Sequence, residues 1–266
     1  EPYPLHHASA GQAAAERLFA ECAADAACKS AFPKVAQELN EVMARFERGV
    51  EVEIQDPATK KLVKVRPNRG IVADGLRLFL YGTEEDGKNT FPLRIHQAFG
   101  GDLRPLVEAA VGRSIGLQEI LYEGLWLSVT CAEDIPRIDP SLIEKETKGT
   151  FLGDFRVRVQ QKACELWPRG QVSPTFWDLP KSKVPTLLIS GERDPVTPPS
   201  FGERVAQGLE NDLHLVVPHG GHGAESECVN GITMSFLDKG SAQGLDTSCL
   251  AKSPAASFAT EVPKGK

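Results

Sequence analysis

VPTLLISGERDPVTPP, residues 184–199, and LHLVVPHGGHG, residues 213–223, decide the fold of this chain. Each stretch begins with an apolar run, 186–190 and 213–217, that is typical of a buried strand and stops at a loop rich in glycine or proline. Between the two strands a helix is predicted over 199–209, with proline in its first turn. Strand, helix and strand at this spacing predict a parallel α/β arrangement.

Two residues with catalytic chemistry follow these strands. Asp194 lies in the loop after the first strand and His222 lies in the loop after the second. In open α/β sheets, the loops beyond the carboxyl ends of the strands surround one crevice. A carboxylate that accepts the Nδ1 proton of an imidazole fixes its tautomer and stabilises the imidazolium that forms when the other nitrogen takes a proton. We interpret Asp194 and His222 as the acid and the base of a hydrolase triad; a chance pairing of residue types is the alternative.

Outward from this segment, the chain divides into three parts. Residues 1–121 are predicted to form a helical cap or lid region, because their apolar residues recur at helical spacing. Two short runs within this region alternate apolar and polar residues and predict a β-hairpin. An α/β portion is predicted over 122–250, and a polar tail without assigned structure over 251–266. The apolar run LWLSVTC, 125–131, is predicted to be the first strand of the α/β portion, which gives a sheet of three parallel strands. Its apolar edge would have to be covered by another polypeptide.

Three further residues are candidates for a functional site. Glu133 and Asp134 end the strand predicted over 125–131, so either carboxylate could bind a substrate ammonium group; a helix cap or a surface position is the alternative. Ser114 lies in the string GRSIG, 112–116, which has the form of a nucleophile elbow. An elbow needs an apolar strand upstream, whereas the residues before Ser114 have helical periodicity. Ser114 is therefore not predicted to be the nucleophile.

Six cysteines indicate the compartment. Proximity in the sequence favours Cys22 with Cys28 and Cys228 with Cys249, which leaves Cys131 with Cys164. Three disulfides are typical of a secreted, periplasmic or cell-envelope protein. Free buried thiols are the alternative. The spacing of cysteines and histidines does not fit a zinc site, so neither a metal nor a cofactor is predicted.

Charge and hydropathy exclude two classes of partner. The chain has 266 residues and a net charge of −6, with no basic block that could neutralise a phosphate backbone, so nucleic acid is not a predicted partner. No apolar run approaches the roughly 20 residues of a bilayer span. The partner predicted from the triad residues is instead a small acyl compound or a peptide.

The two deciding stretches resemble the acid and histidine segments of α/β-hydrolase serine peptidases, in particular the secreted tripeptidyl aminopeptidase and proline-iminopeptidase-like group. The resemblance covers most of residues 15–250. It rests further on FAECAADAACKSAFP (19–33), LWLSVTCAEDIP (125–136), CVNGITMSFLDKG (228–240) and LDTSCL (245–250). By this resemblance Asp194 is the triad acid, His222 is the base, and the chain is the C-terminal portion of an α/β-hydrolase sheet with its mostly helical cap.

The same resemblance implies a serine exopeptidase that releases short N-terminal peptides or amino acids. The nucleophilic serine would lie on an N-terminal hydrolase segment that precedes the cap. An esterase acting on small acyl substrates uses the same residues and is an alternative. A non-catalytic fragment or binding module is an alternative from a different class.

Overall fold

A computed structural model of the chain describes residues 2–82 and 89–261. The helices are α1 (His7–Ala24), α2 (Ala26–Ala31), α3 (Val35–Glu47), α4 (Arg69–Arg77), α5 (Phe91–Phe99), α6 (Arg104–Ile120), α7 (Glu123–Glu133), α8 (Pro140–Thr147), α9 (Phe155–Leu166), α10 (Pro199–Ala206) and α11 (Glu227–Lys239). The strands are β1 (Val52–Gln55), β2 (Leu62–Val65), β3 (Thr186–Gly191) and β4 (Asp212–Val217).

The first part of the chain is helical, as its periodicity predicts. Helix α3 shows why: its apolar residues recur every three or four positions, so that one face is buried. Helices α1, α3, α4, α5 and α6 bury such faces in one core, whose fully buried members include Leu18, Val42, Leu76, Phe91 and Leu106. This core fixes the position of α4 and of the residues that follow it.

The predicted hairpin is confirmed. Strands β1 and β2 pair antiparallel, with Val52 opposite Val65. Asp56 forms the turn, because its Oδ1 accepts hydrogen bonds from the backbone N–H groups of Ala58 and Thr59 at 3.0 and 2.6 Å.

The prediction of a strand over residues 125–131 is wrong, because this segment lies in helix α7. Its apolar residues do not alternate between two sheet faces. Thr130 and Cys131 are buried towards α9, whereas Leu125 and Val129 are 65% and 39% exposed. The Thr130 hydroxyl donates to the carbonyl of Trp126, four residues earlier, at 2.8 Å. A short apolar run fits either element, and packing against α9 decides for the helix.

The described sheet of the α/β portion therefore has two parallel strands, β3 and β4, rather than three. Their register runs from Thr186 beside Asp212 to Gly191 beside Val217. Helix α10 connects them and packs on both. The parallel strand–helix–strand unit predicted from the two deciding stretches is confirmed, and it brings both strand ends to the same edge.

The C-terminal tail is more ordered than the sequence predicts. Phe258 and Ala259 are buried in the helical core, and Phe258 forms a bridge with Asn89. The backbone N–H of Ala256 donates to the carboxylate of Glu21 at 2.9 Å. Burial of these two apolar residues orders a segment that is polar as a whole. Residues 262–266 of the predicted tail lie outside the described residues.

The three predicted cysteine pairs are present as disulfides. Cys22–Cys28 joins α1 to α2, Cys131–Cys164 joins α7 to α9, and Cys228–Cys249 joins α11 to the turn at Ser248–Lys252. Among the helices described, none combines the length and the apolar character needed to cross a bilayer.

The disulfide between α7 and α9 is expected to contribute more to stability than the one between α1 and α2. Their sequence separations are 33 and 6 residues, and the entropy lost by the unfolded chain grows with loop length. Replacing Cys131 and Cys164 by alanine should lower the free energy of unfolding by about 3–4 kcal/mol, against about 2 kcal/mol for Cys22 and Cys28. Urea denaturation without reductant measures both.

The two pairs are a matched comparison, since all four cysteines are buried and lose a similar contact on replacement. Equal losses of stability would contradict the loop-length argument.

Candidate active site

Asp194 is fixed in the loop after β3. Its side chain is 4% exposed. Oδ1 accepts hydrogen bonds from the backbone N–H groups of Val196 and Thr197 at 2.8 and 2.9 Å, and Oδ2 accepts one from the hydroxyl of Thr197 at 2.8 Å. The loop thus folds around the carboxylate, which leaves one direction of Oδ2 for a further partner.

That partner is His222, in the loop after β4. Its Nδ1 lies 2.9 Å from Oδ2 of Asp194. The histidine side chain is 41% exposed, and its Nε2 forms no hydrogen bond with any described residue. An imidazole with a carboxylate on one nitrogen and access on the other can take a proton from a nucleophile and return it.

Close backbone packing holds the two loops together. A side chain at Gly191 would collide with the carbonyl of Gly221, and one at Gly221 would collide with the carbonyl of Tyr81. These glycines allow the loop after β4 to lie directly between the end of β3 and the backbone of Tyr81. The backbone N–H of His222 donates to the carbonyl of Tyr81 at 2.8 Å. The ring of Tyr81 also contacts the imidazole, with centroids 4.8 Å apart.

Hydrogen bonding keeps Asp194 ionised. Burial by itself raises the pKa of this carboxyl, but the hydrogen bonds with His222, Thr197 and Val196 more than offset it, so the pKa lies below the ordinary value of 3.8. The carboxylate is therefore charged at neutral pH, as a group that stabilises an imidazolium must be.

The other histidine of the loop has a different partner. Nδ1 of His219 lies 3.1 Å from a carboxylate oxygen of Glu21 on α1, and its backbone N–H donates to Glu192 at 3.0 Å. His219 and His222 thus contact different carboxylates. In the part of the chain that the structure describes, no group of three or more His, Cys, Asp or Glu side chains is placed to hold a metal ion.

The sequence predicts that Glu133 and Asp134 end a strand. They lie instead at the end of helix α7. Asp134 accepts a hydrogen bond from the backbone N–H of Tyr3 at 3.1 Å, and burial raises the pKa of its carboxyl. The carbonyl of Glu133 accepts from the indole of Trp177 at 2.8 Å, which leaves the Glu133 carboxylate outside that contact. Their role in substrate binding stays a prediction.

Ser114 lies within helix α6, as its periodicity predicts. Its hydroxyl donates to the carbonyl of Ala110 at 3.0 Å. A serine in mid-helix lacks the strained strand-to-helix turn that exposes a nucleophile.

Sequence reasoning missed two residues that shape the site, Thr197 and Tyr81. Thr197 could have been found, because a hydroxyl three residues after an aspartate is a local hydrogen-bonding pattern. Nothing in the sequence connects Tyr81 with His222, since only the packing of the helical part of the chain brings them together.

The lowered pKa of Asp194 predicts a pH dependence of stability. A carboxyl with a depressed folded-state pKa stabilises the fold above its unfolded pKa and loses this contribution as the pH falls through the folded value. The difference in unfolding free energy between the wild type and Asp194→Asn should be constant near neutral pH and shrink below about pH 4. Urea denaturation at pH 7 to 3 measures it. The exposed Asp178→Asn is the control, and a difference that grew with acidification would contradict the prediction.

Comparison with known proteins adds one finding. Residues 149–249 match the family model described as TAP-like protein, an α/β-hydrolase family. No curated protein matches the chain significantly. The matched segment contains β3, β4 and both candidate residues, Asp194 and His222. This similarity supports an α/β-hydrolase and hence hydrolase activity.

Proposed function

We propose that this chain supplies the acid and the base of a serine hydrolase, an exopeptidase that releases short N-terminal peptides or amino acids. The observation that carries the proposal is the 2.9 Å contact between Nδ1 of His222 and Oδ2 of the buried Asp194. The TAP-like match over the same segment supports the reaction class. The exopeptidase assignment rests on the resemblance of the sequence motifs.

The reaction follows from this geometry. Asp194 accepts a hydrogen bond from the Nδ1–H of His222, so that Nε2 carries the free lone pair. Nε2 takes the proton of a serine hydroxyl as its oxygen attacks the substrate carbonyl, and Asp194 stabilises the imidazolium. His222 then gives that proton to the leaving amine, and water repeats the sequence on the acyl-serine.

The serine is proposed to come from an N-terminal hydrolase segment. Ser114 is bonded within a helix, so its hydroxyl is not the proposed nucleophile. Exposure on the two-stranded sheet supports the proposal that another polypeptide covers it, because the apolar residues Ile189 and Val216 are each 38% exposed. Exposed apolar side chains on the faces of a sheet support a contact with another polypeptide.

The helical part is proposed to act as the cap. Tyr81, directly after α4 and its following turn, contacts the imidazole of His222 and accepts its backbone hydrogen bond. This contact supports a cap role, because a lid over the proposed base would exclude water. Three disulfides fit an oxidising compartment, and we propose that the protein is secreted or located in the periplasm or cell envelope.

Hydrolysis should require both this chain and the N-terminal segment. A fluorophosphonate probe, which reacts with activated serines, should label the protein only when both are present, and Ser114→Ala should leave labelling unchanged. In that complex His222→Ala and Asp194→Asn should each lower kcat by about 10⁴-fold or more. A tripeptidyl chromogenic substrate measures the rate.

His219→Asn is the matched control, because His219 lies on the same loop as His222 but contacts Glu21. The backbone φ of His219 is positive, a conformation that asparagine adopts readily. The kcat of this variant should stay within about threefold of the wild type, since it removes no group used in proton transfer. Equal losses in all three variants would point to loop disruption and contradict the assignment. Turnover on small esters but not on peptides would select the esterase.

We further propose that one of the carboxylates of Glu133 and Asp134 binds the substrate ammonium. In the complex, Glu133→Gln or Asp134→Asn should raise KM about tenfold for substrates with a free N-terminus, because a charge-assisted hydrogen bond is lost. KM for the N-acetylated substrate should not change. The exposed Glu144→Gln is the control. Unchanged KM in both variants would remove these residues from the site.

A further inference from the structure

A cavity outside the Asp194–His222 contact lies between helices α4, α6, α7 and α9. Its volume is about 100 Å³. This is roughly the share of three liquid waters, or of a small polar group such as the end of a long side chain. Its wall includes two guanidinium groups, those of Arg77 and Arg156, together with Trp126.

Arg156 presents a donor without an acceptor. Its guanidinium lies over the ring of Trp126, 4.7 Å from the centroid, and its Nε is buried without a hydrogen-bond partner among the described residues. Nε is closed off from the cavity, so the terminal nitrogens of the Arg156 guanidinium are the donors that a group in the cavity could reach. A guanidinium in a cavity wall without an acceptor among the described residues favours an anionic group there.

The charges around the cavity favour an anion. Asp74 is already paired with Arg77, whose side chain is 2% exposed, at 3.1 Å. Glu123 is the other acidic residue of the wall, and it is exposed to solvent, which screens its charge. The guanidinium of Arg156 has no ion pair with any described residue, so the buried side of the cavity keeps one uncompensated positive charge.

The cavity is one side chain away from the candidate active site. Nη1 of Arg77 donates to the hydroxyl of Tyr81 at 2.8 Å, and the ring of Tyr81 contacts the ring of His222. The cavity wall and the imidazole of His222 are therefore linked through the side chain of Tyr81.

We propose that this cavity is a carboxylate-binding subsite that takes the acidic side chain of a peptide substrate. The carboxylate accepts a hydrogen bond from a terminal nitrogen of the Arg156 guanidinium and lies beside the Trp126 ring. That the carboxylate belongs to a substrate rests on the proposed hydrolase function, whereas binding of the carboxylate does not.

The test is a binding measurement on the 266-residue chain itself, with N-acetyl-glutamate amide and N-acetyl-glutamine amide as probes. The two probes differ only in the side-chain carboxylate. The reporter is the indole N–H signal of Trp126 in ¹H–¹⁵N spectra, assigned by Trp126→Phe. We expect saturable shifts with the glutamate probe, at a Kd on the order of 1 mM for a ligand of this size, and at least tenfold weaker binding of the glutamine probe.

Arg156→Gln should weaken binding of the glutamate probe at least tenfold. Arg158→Gln is the matched control on the same helix, because Arg158 is 57% exposed and paired with Asp154; it should leave the Kd unchanged. Glu123→Gln should tighten binding about twofold at low salt, since it removes a like charge. This second variant keeps the test decisive if Arg156→Gln does not fold.

Equal binding of the two probes, no binding of either, or the same Kd in Arg156→Gln and Arg158→Gln would overturn the subsite. Because no turnover is measured, such a failure is distinguishable from failure of the hydrolase proposal, which would appear in the fluorophosphonate labelling.

Discussion

The hydrogen bond between His222 and Asp194 depends on the parallel register of β3 and β4. Gly191 ends one strand beside Val217, which ends the other, so the loops that follow begin side by side. An antiparallel pair would send them to opposite edges. The register alone does not bring the side chains to 2.9 Å; the fold of the 194–197 loop around its own carboxylate and the glycine at 221 complete the approach.

The helical part of the chain takes part in the same arrangement. Tyr81 accepts the backbone hydrogen bond of His222, contacts its ring and accepts a hydrogen bond from the buried Arg77. The position of His222 is thus set from two directions, by the sheet through Asp194 and by the helical part of the chain through Tyr81. This coupling explains how a helical region distant in sequence can influence chemistry at the strand ends, and it connects the cavity beside Arg77 with the histidine.

The secondary structure that the sequence predicts correctly has a strong local signal. The hairpin turn at Asp56, the proline at the start of α10 and the apolar face of α3 each depend on interactions between residues close in sequence. The segment 125–131 has no such signal: its apolar residues suit a strand or a helix, and contact with α9 through Cys131–Cys164 selects the helix. Phe258 in the tail is a similar case, because its burial depends on the core formed by α1 to α6.

The sequence by itself determined the parallel strand–helix–strand unit, the pairing of the cysteines and the choice of Asp194 and His222, because each follows from local pattern or from the order of strands and loops. The tertiary structure alone decided the number of strands in the sheet, the position of Glu133 and Asp134 at a helix end, the contact of Tyr81 with the imidazole and the cavity beside Arg156. These features arise where segments far apart in the chain pack together, and the periodicity of one segment carries no information about the side chains that another will bring to it.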